Sequence, residues 1–305
     1  MKTFKILPLI LFLVIGLTRC NQNDTVNSGK PKIVVTTGMI GDIVSNIGGD
    51  SIDVTALMGP GVDPHQYTAV QSDLRKLEEA NIIFYNGLHL EGKMVSVFEK
   101  MKRNKAVYAV SDGLDESDLR RLDEDNAHDP HIWMNVALWR KAAEYTTARL
   151  CEHFPSMASY FKNRASIYID RLNELDNQVK KDIMSIPENQ RVLITAHDAF
   201  SYFGSAYNIE VVGLQGISTV SEAGIKKAQN LANLIIDRKI TAIFVESSVP
   251  TKRMERLVES CRESGHEVRI GGNLYSDAMG APGSGADSYE GMIRANVKTI
   301  VDALK

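Results

Sequence analysis

The chain has 305 residues, of which 44% are hydrophobic and 24% charged, a globular composition that excludes a disordered, collagen-like or disulfide-stapled protein. At roughly 150 residues per domain the length fits about two domains. A formal charge of −3 gives no electrostatic reason to expect a nucleic-acid partner.

The first twenty residues read as an export signal of lipoprotein type: a basic lead, Met1 to Lys5, then the apolar run Ile6 to Leu17. That run of 12 residues is shorter than the roughly 18 to 20 needed to span a bilayer, and no later segment is apolar enough. It ends in Leu17-Thr18-Arg19-Cys20, which resembles a bacterial lipobox with Cys20 as the lipidated residue, although Arg19 stands where a small residue is usual. Removing residues 1–20 takes away Lys2, Lys5 and Arg19 and moves the net charge from −3 to −6, which suits a cationic ligand. The polar stretch 21–30 reads as a flexible tether.

From Lys32 onward, β-branched runs alternate with helical patterns, the signature of a parallel sheet with crossover helices. Strands are predicted at Lys32–Thr37, Ile52–Leu57, Asn81–Tyr85 and Ala106–Val110. After a break they resume at Arg191–Ala196, Ile209–Gly213, Thr241–Val245 and Glu267–Ile270. Between the two sets, Tyr168, Leu172, Leu175, Val179, Ile183 and Ile186 recur every three or four residues. They predict one long helix bracketed by Pro155 and Pro187. The architecture expected is two α/β lobes with parallel sheets, at 31–157 and 188–305, joined by a stiff helix at 158–187. Cys151 and Cys261 lack any zinc-ribbon or CxxC spacing and read as buried structural residues, with a disulfide between them as the alternative.

Ligands of open parallel sheets bind beyond the carboxyl ends of the strands, so side chains there are the candidates for chemistry. His65 follows the second strand in Gly61-Val62-Asp63-Pro64-His65-Gln66-Tyr67, and His131 lies in Asp129-Pro130-His131-Ile132-Trp133. Asp-Pro-His therefore occurs twice, and proline stiffens the backbone that presents each imidazole. His197 ends the fifth strand run in Thr195-Ala196-His197-Asp198, and Asp277 follows the eighth in Tyr275-Ser276-Asp277-Ala278. His89, after the third strand, competes with them. His128 belongs to the acidic segment 112–128 and reads as solvated, and His153 and His266 read as surface residues. Asp63, Asp129, Asp198 and Glu246 are placed to orient imidazoles, with helix capping as the other reading of Asp198. The tract Gln215 to Gly224 reads as a loop leading into a helix and is assigned no chemistry.

With Gly213-Leu214-Gln215-Gly216-Ile217-Ser218 and Leu274-Tyr275-Ser276-Asp277-Ala278-Met279-Gly280 added, these segments resemble the extracytoplasmic solute-binding proteins of zinc and manganese ABC importers, the TroA-like group. The resemblance covers nearly the whole exported body. It implies two α/β lobes joined by one long helix, a metal in the interlobe cleft, a cognate ABC permease as partner, a lipid anchor, and a monomer that is no enzyme. By resemblance the metal ligands are His65, His131, His197 and Asp277. Manganese-type members tend to carry Glu at the third position, and three imidazoles with one carboxylate suit zinc better than manganese, so zinc is expected with manganese as the alternative. Zinc-type members often carry a His-rich loop before the second His, whereas segment 112–128 is short and acidic. Two other classes compete: a zinc hydrolase with Asp277 as general base and water in the open position, and a surface adhesin. No HExxH, Walker A or repeat pattern supports catalysis, ATP hydrolysis or adhesion.

Overall fold

The computed structural model describes residues 29–122, 127–220 and 224–305. The export segment, Cys20 and the tether up to residue 28 lie outside them. All eight predicted strands form, each trimmed or shifted by a residue or more. In the first lobe β1 (Lys32–Val35), β2 (Asp53–Ala56), β3 (Ile82–Tyr85) and β4 (Ala106–Ala109) make a wholly parallel sheet in the order β2-β1-β3-β4. Parallel strands need crossovers, supplied here by α1 (Gly38–Gly48), α2 (Gln71–Glu79) and α3 (Val95–Met101). β1 and β3 are buried on both faces, which is why they read as unbroken apolar runs.

Helix α4 (Val136–His153) closes this lobe, and its N-terminus is capped by Asn135, whose side chain accepts from the backbone of Ala137 (2.9 Å) and Leu138 (3.4 Å). The predicted long helix is α5 (Ala158–Met184), 27 residues and about 40 Å at 1.5 Å per residue. Every member of its predicted stripe is buried. The helix stops two residues short of Ile186, because Pro187 disfavours helical geometry in the residue before it.

The second lobe contains β5 (Val192–Thr195), α6 (Ser201–Tyr207), β6 (Glu210–Gly213), α7 (Ile225–Asp237), β7 (Ala242–Glu246), α8 (Lys252–Glu263), β8 (Arg269–Leu274) and α9 (Tyr289–Leu304). Its strands pair as β5 with β6 and β7 with β8, both parallel, with β5 running beside β7. The last strand extends four residues beyond its predicted end, through Gly271 and Gly272. A Cβ at Gly271 would lie 2.9 Å from the Ala303 side chain and 3.0 Å from the Phe244 ring, so glycine there lets α9 pack directly on the strand.

The main apolar core does not stop at the lobe boundary. It runs from Ile33, Ile43 and Trp139 through the α5 stripe to Phe203, Tyr289 and Ile300, and α5 packs on α1 and α4 on one side and α6 and α9 on the other. Separating the lobes would expose this core. Trimming one of its buried leucines to alanine typically costs about 2–5 kcal/mol. Among the described residues, no helix is long and apolar enough to cross a membrane.

Candidate metal centre

The two Asp-Pro-His tripeptides fold into the same local turn. Asp63 Oδ1 accepts from the His65 backbone N–H at 2.9 Å, and Asp129 Oδ1 accepts from that of His131 at 2.9 Å. Proline fixes the residue between, so each histidine leaves a rigid turn in a set direction. The two aspartates then diverge. Asp129 Oδ1 is also 2.7 Å from His131 Nδ1, which places the ring proton there and turns Nε2 inward. Asp63 spends its other oxygen on Gln66 Nε2 (2.9 Å) and the Thr219 hydroxyl (2.6 Å).

His197 sits just past β5 and is held by Glu246 at the end of β7. Oε1 accepts from the His197 backbone N–H at 2.9 Å, and Oε2 lies 2.5 Å from Nδ1. Gly213 packs against the same backbone: a Cβ there would come within 2.8 Å of the His197 carbonyl carbon and 2.6 Å of the Asp198 nitrogen. Asp277 follows β8 in a loop anchored by Asn296, which exchanges two hydrogen bonds with the Tyr275 backbone at 2.8 and 2.7 Å. The Ser248 hydroxyl lies 3.3 Å from Asp277 Oδ2, and Trp133 Nε1 donates to the Ser276 carbonyl at 2.7 Å.

His65, His131, His197 and Asp277 thereby converge, one ligand-capable atom of each lying within 4.8 Å of all the others. His131 and His197 have no exposed surface, Asp277 1% and His65 5%. The two Nε2 atoms of His65 and His131 are 3.2 Å apart. Asp277 reaches His197 Nε2 at 3.3 Å through Oδ2 and His131 Nε2 at 3.5 Å through Oδ1. Bonds of 2.0–2.1 Å to a tetrahedral zinc place neighbouring donors about 3.3 Å apart. His197 Nε2 and Asp277 Oδ1 are buried and lack a hydrogen-bond partner. Buried polar atoms are rarely left this way unless a missing ion or water completes them.

Burial, with the neighbouring His131 and His197, lowers the His65 imidazole to about 4 against the opposing pull of Asp277 and Asp63. Burial also acts on His197, but the Glu246 and Asp277 carboxylates outweigh it and hold this imidazole well above its ordinary value. Burial raises Asp277, yet His197, His65 and His131 overcome it and keep the carboxyl far below the usual carboxylate range. Glu246 and Asp277 thus favour a positive charge on His197, between two carboxylates.

The remaining predicted residues go elsewhere. His89 is exposed in a turn with φ 62° and does not belong to the cluster. His128 pairs with Glu116 at 3.1 Å, and His153 with the Tyr108 hydroxyl at 2.6 Å. His266 is half-buried, not a surface residue, because its ring contacts the Ile240 carbonyl at 2.7 Å. Asp198 accepts from Ser201 at the start of α6 (2.7 Å) and serves local structure. Cys151 and Cys261 are both free; Cys261 is buried on α8, while Cys151, in the last turn of α4, is only half-buried. Thr219, Ser248 and Asn296 carry roles that sequence reasoning missed. The one available signal was Thr219's place directly after the segment Gly213 to Ser218, in a tract assigned no chemistry.

Residues 33–303 match the family described as ZnuA, zinc-uptake complex component A periplasmic. The chain is 44% identical over 298 residues to the manganese-binding lipoprotein MntA of Bacillus subtilis, covering 97% of each. It is 45% identical over 297 residues to the zinc-binding protein TroA of Treponema pallidum, covering 97% of this chain and 96% of that one. The solved structure of the periplasmic zinc-binding protein TroA from Treponema pallidum superposes with a TM-score of 0.89 at 46% identity, over 90% of this chain and 99% of that chain. The chain belongs to the ZnuA family of periplasmic zinc-uptake components.

Proposed function

We propose that the chain captures a divalent transition metal outside the cytoplasmic membrane and delivers it to an ABC importer. His65, His131, His197 and Asp277 are its ligands, and the cleft between lobes 31–157 and 188–305, joined across 158–187, is its binding site. The observation that carries this reading is the convergence of three imidazoles and one carboxylate, buried and within 4.8 Å of one another. The metal is cargo. Asp129 and Glu246 fix two of the imidazole tautomers, as outer carboxylates do in metal sites. Relatives named as manganese-binding and zinc-binding match this chain almost equally well, so a divalent metal is the shared statement.

Zinc is the metal we assign, because a donor set of three nitrogens and one carboxylate matches its preference, whereas manganese favours more oxygen. A fourth protein donor in the cluster favours capture over the hydrolase reading, which needs a position open to water. Delivery through a cognate permease and a lipid anchor at Cys20 complete the proposal, with periplasmic or cell-surface placement.

Calorimetric titration of the demetallated exported body with zinc and with manganese, each also used to displace the other, tests it. Tight zinc binding that manganese does not displace supports zinc uptake. Equal affinities assign the chain to both metals, and no tight binding of either overturns the site.

A further inference from the structure

The clustered side chains are not equally fastened. The His131 turn is bound to the second lobe at several points: Trp133 Nε1 donates to the Ser276 carbonyl (2.7 Å), and the Tyr289 hydroxyl to the Trp133 carbonyl (2.8 Å). The Tyr202 hydroxyl donates to the Asp129 carbonyl (3.0 Å), and the Val136 N–H donates to the Tyr207 hydroxyl (3.2 Å). Asn86 Nδ2 adds a tie from the first lobe to the Pro130 carbonyl at 2.9 Å. His131, His197 and Asp277 therefore share one body, fixed by buried bonds and by the core that runs through α5.

His65 belongs to a different body. Its loop is held within the first lobe by the Met58 N–H donating to the Thr36 carbonyl (2.9 Å) and by the Tyr67 hydroxyl donating to Asp73 (2.7 Å). Toward the second lobe its side chains converge on Thr219. The Thr219 hydroxyl donates to Asp63 Oδ2 at 2.6 Å, and Gln66 Nε2 stands 3.5 Å from Thr219 Oγ1. Asp63 passes the restraint on, since its other oxygen holds the His65 backbone. Thr219 is 8% exposed, while Asp63 is half-buried and Gln66 exposed, so this crossing lies at the solvent edge of an otherwise buried cluster.

We infer that Thr219 is a positioning residue for metal retention: its hydroxyl latches the His65 loop across the cleft through Asp63, and the ion leaves when this latch opens, without separation of whole lobes. The inference rests on the proposed metal-binding reading. Swinging one loop breaks a few edge hydrogen bonds, whereas parting the lobes exposes the shared core, so the loop is the easier route. A latch that acts after the ion is seated governs its escape more than its arrival, as most affinity differences between related complexes do.

The test is the rate of zinc release to an excess of chelator, followed by stopped flow, in the exported body and in Thr219→Val and Thr219→Ser. A half-buried hydrogen bond to a carboxylate sits at the low end of the charge-assisted range, so Thr219→Val should release zinc about tenfold faster. Its association rate and the unfolding midpoint of its chelated form should match the parent, and Thr219→Ser, which restores the hydroxyl, should release zinc at the parent rate. A parent-like release rate in Thr219→Val overturns the latch, as does Thr219→Ser releasing as fast as the valine variant. Should the valine variant fail to fold, Thr219→Ala replaces it in the same comparison with serine. Failure of the parent itself to bind zinc or manganese overturns the site, a result distinct from failure of the latch.

Discussion

Replacing Glu246 with glutamine tests how the buried carboxylate prepares His197. Glu246 holds His197 at two points, accepting from its backbone N–H at 2.9 Å and pairing with Nδ1 at 2.5 Å, and both residues are buried. Glutamine offers one oxygen and one NH₂ in that place. If the oxygen stays on the backbone, the NH₂ faces Nδ1 and forces its lone pair outward, which puts the ring proton on Nε2, the atom that faces the cluster and is its proposed ligand. If the amide flips, a buried backbone donor loses its acceptor. Either arrangement costs about 1–3 kcal/mol, the range for a buried polar group left unsatisfied, and about 1.4 kcal/mol is a factor of ten. We expect Glu246→Gln to weaken zinc binding by about 10- to 100-fold, as loss of an outer partner does elsewhere. A second signature follows from the proton that Glu246 and Asp277 hold on His197. Zinc binding by the parent at pH 7 should release a proton, read as a dependence of calorimetric enthalpy on the ionisation enthalpy of the buffer, and the variant should release less. Parent affinity together with parent proton release in Glu246→Gln would refute the reasoning.

Removing the charged donor itself should cost more: Asp277→Ala is expected to lose more than roughly 100-fold in zinc affinity, beyond the range for an outer partner, while circular dichroism remains native. Normal affinity in that variant would remove Asp277 from the ligand set. Gly213→Ala should weaken zinc binding by about tenfold or more, because the new Cβ meets the His197–Asp198 backbone and cannot be absorbed by a side-chain rotation. An unchanged titration curve would show that this backbone yields. Acid should destabilise the metal-free chain through His65. Its folded value is about 4 against an ordinary 6.5, so between those limits the unfolded chain binds a proton that the folded chain refuses, and stability falls as pH falls. His197 does not shape that limb, since a raised imidazole contributes fully below about 6.5 and loses its contribution only as pH rises through its folded value. Urea midpoints between pH 7 and 4 should therefore fall steeply in the parent and less in His65→Asn; equal slopes would contradict the burial argument.

Much of this molecule is written in short-range patterns. β-branched runs mark all eight strands, the three-and-four spacing marks α5, and each Asp-Pro-His carries its own turn within three residues. Such features need only the dihedral preferences and periodicity of neighbouring residues. The positions just past strand ends, together with the family resemblance, single out His65, His131, His197 and Asp277 in the sequence.

Tertiary structure decided what lies beyond that range. Asp63 and Asp129 are indistinguishable in their tripeptides, yet one orients an imidazole and the other reaches across the cleft to Thr219, 156 residues away. Glu246 meets His197 from 49 residues away because β5 and β7 run side by side. Gly271 and Gly272 argue against a strand locally, but α9 packs there and requires one. His89 has a ligand's position in sequence and loses it to a left-handed turn. Local geometry is encoded within a few residues, whereas the partner of a buried carboxylate depends on which strands and helices come to rest beside it, and that is settled only when the whole core packs.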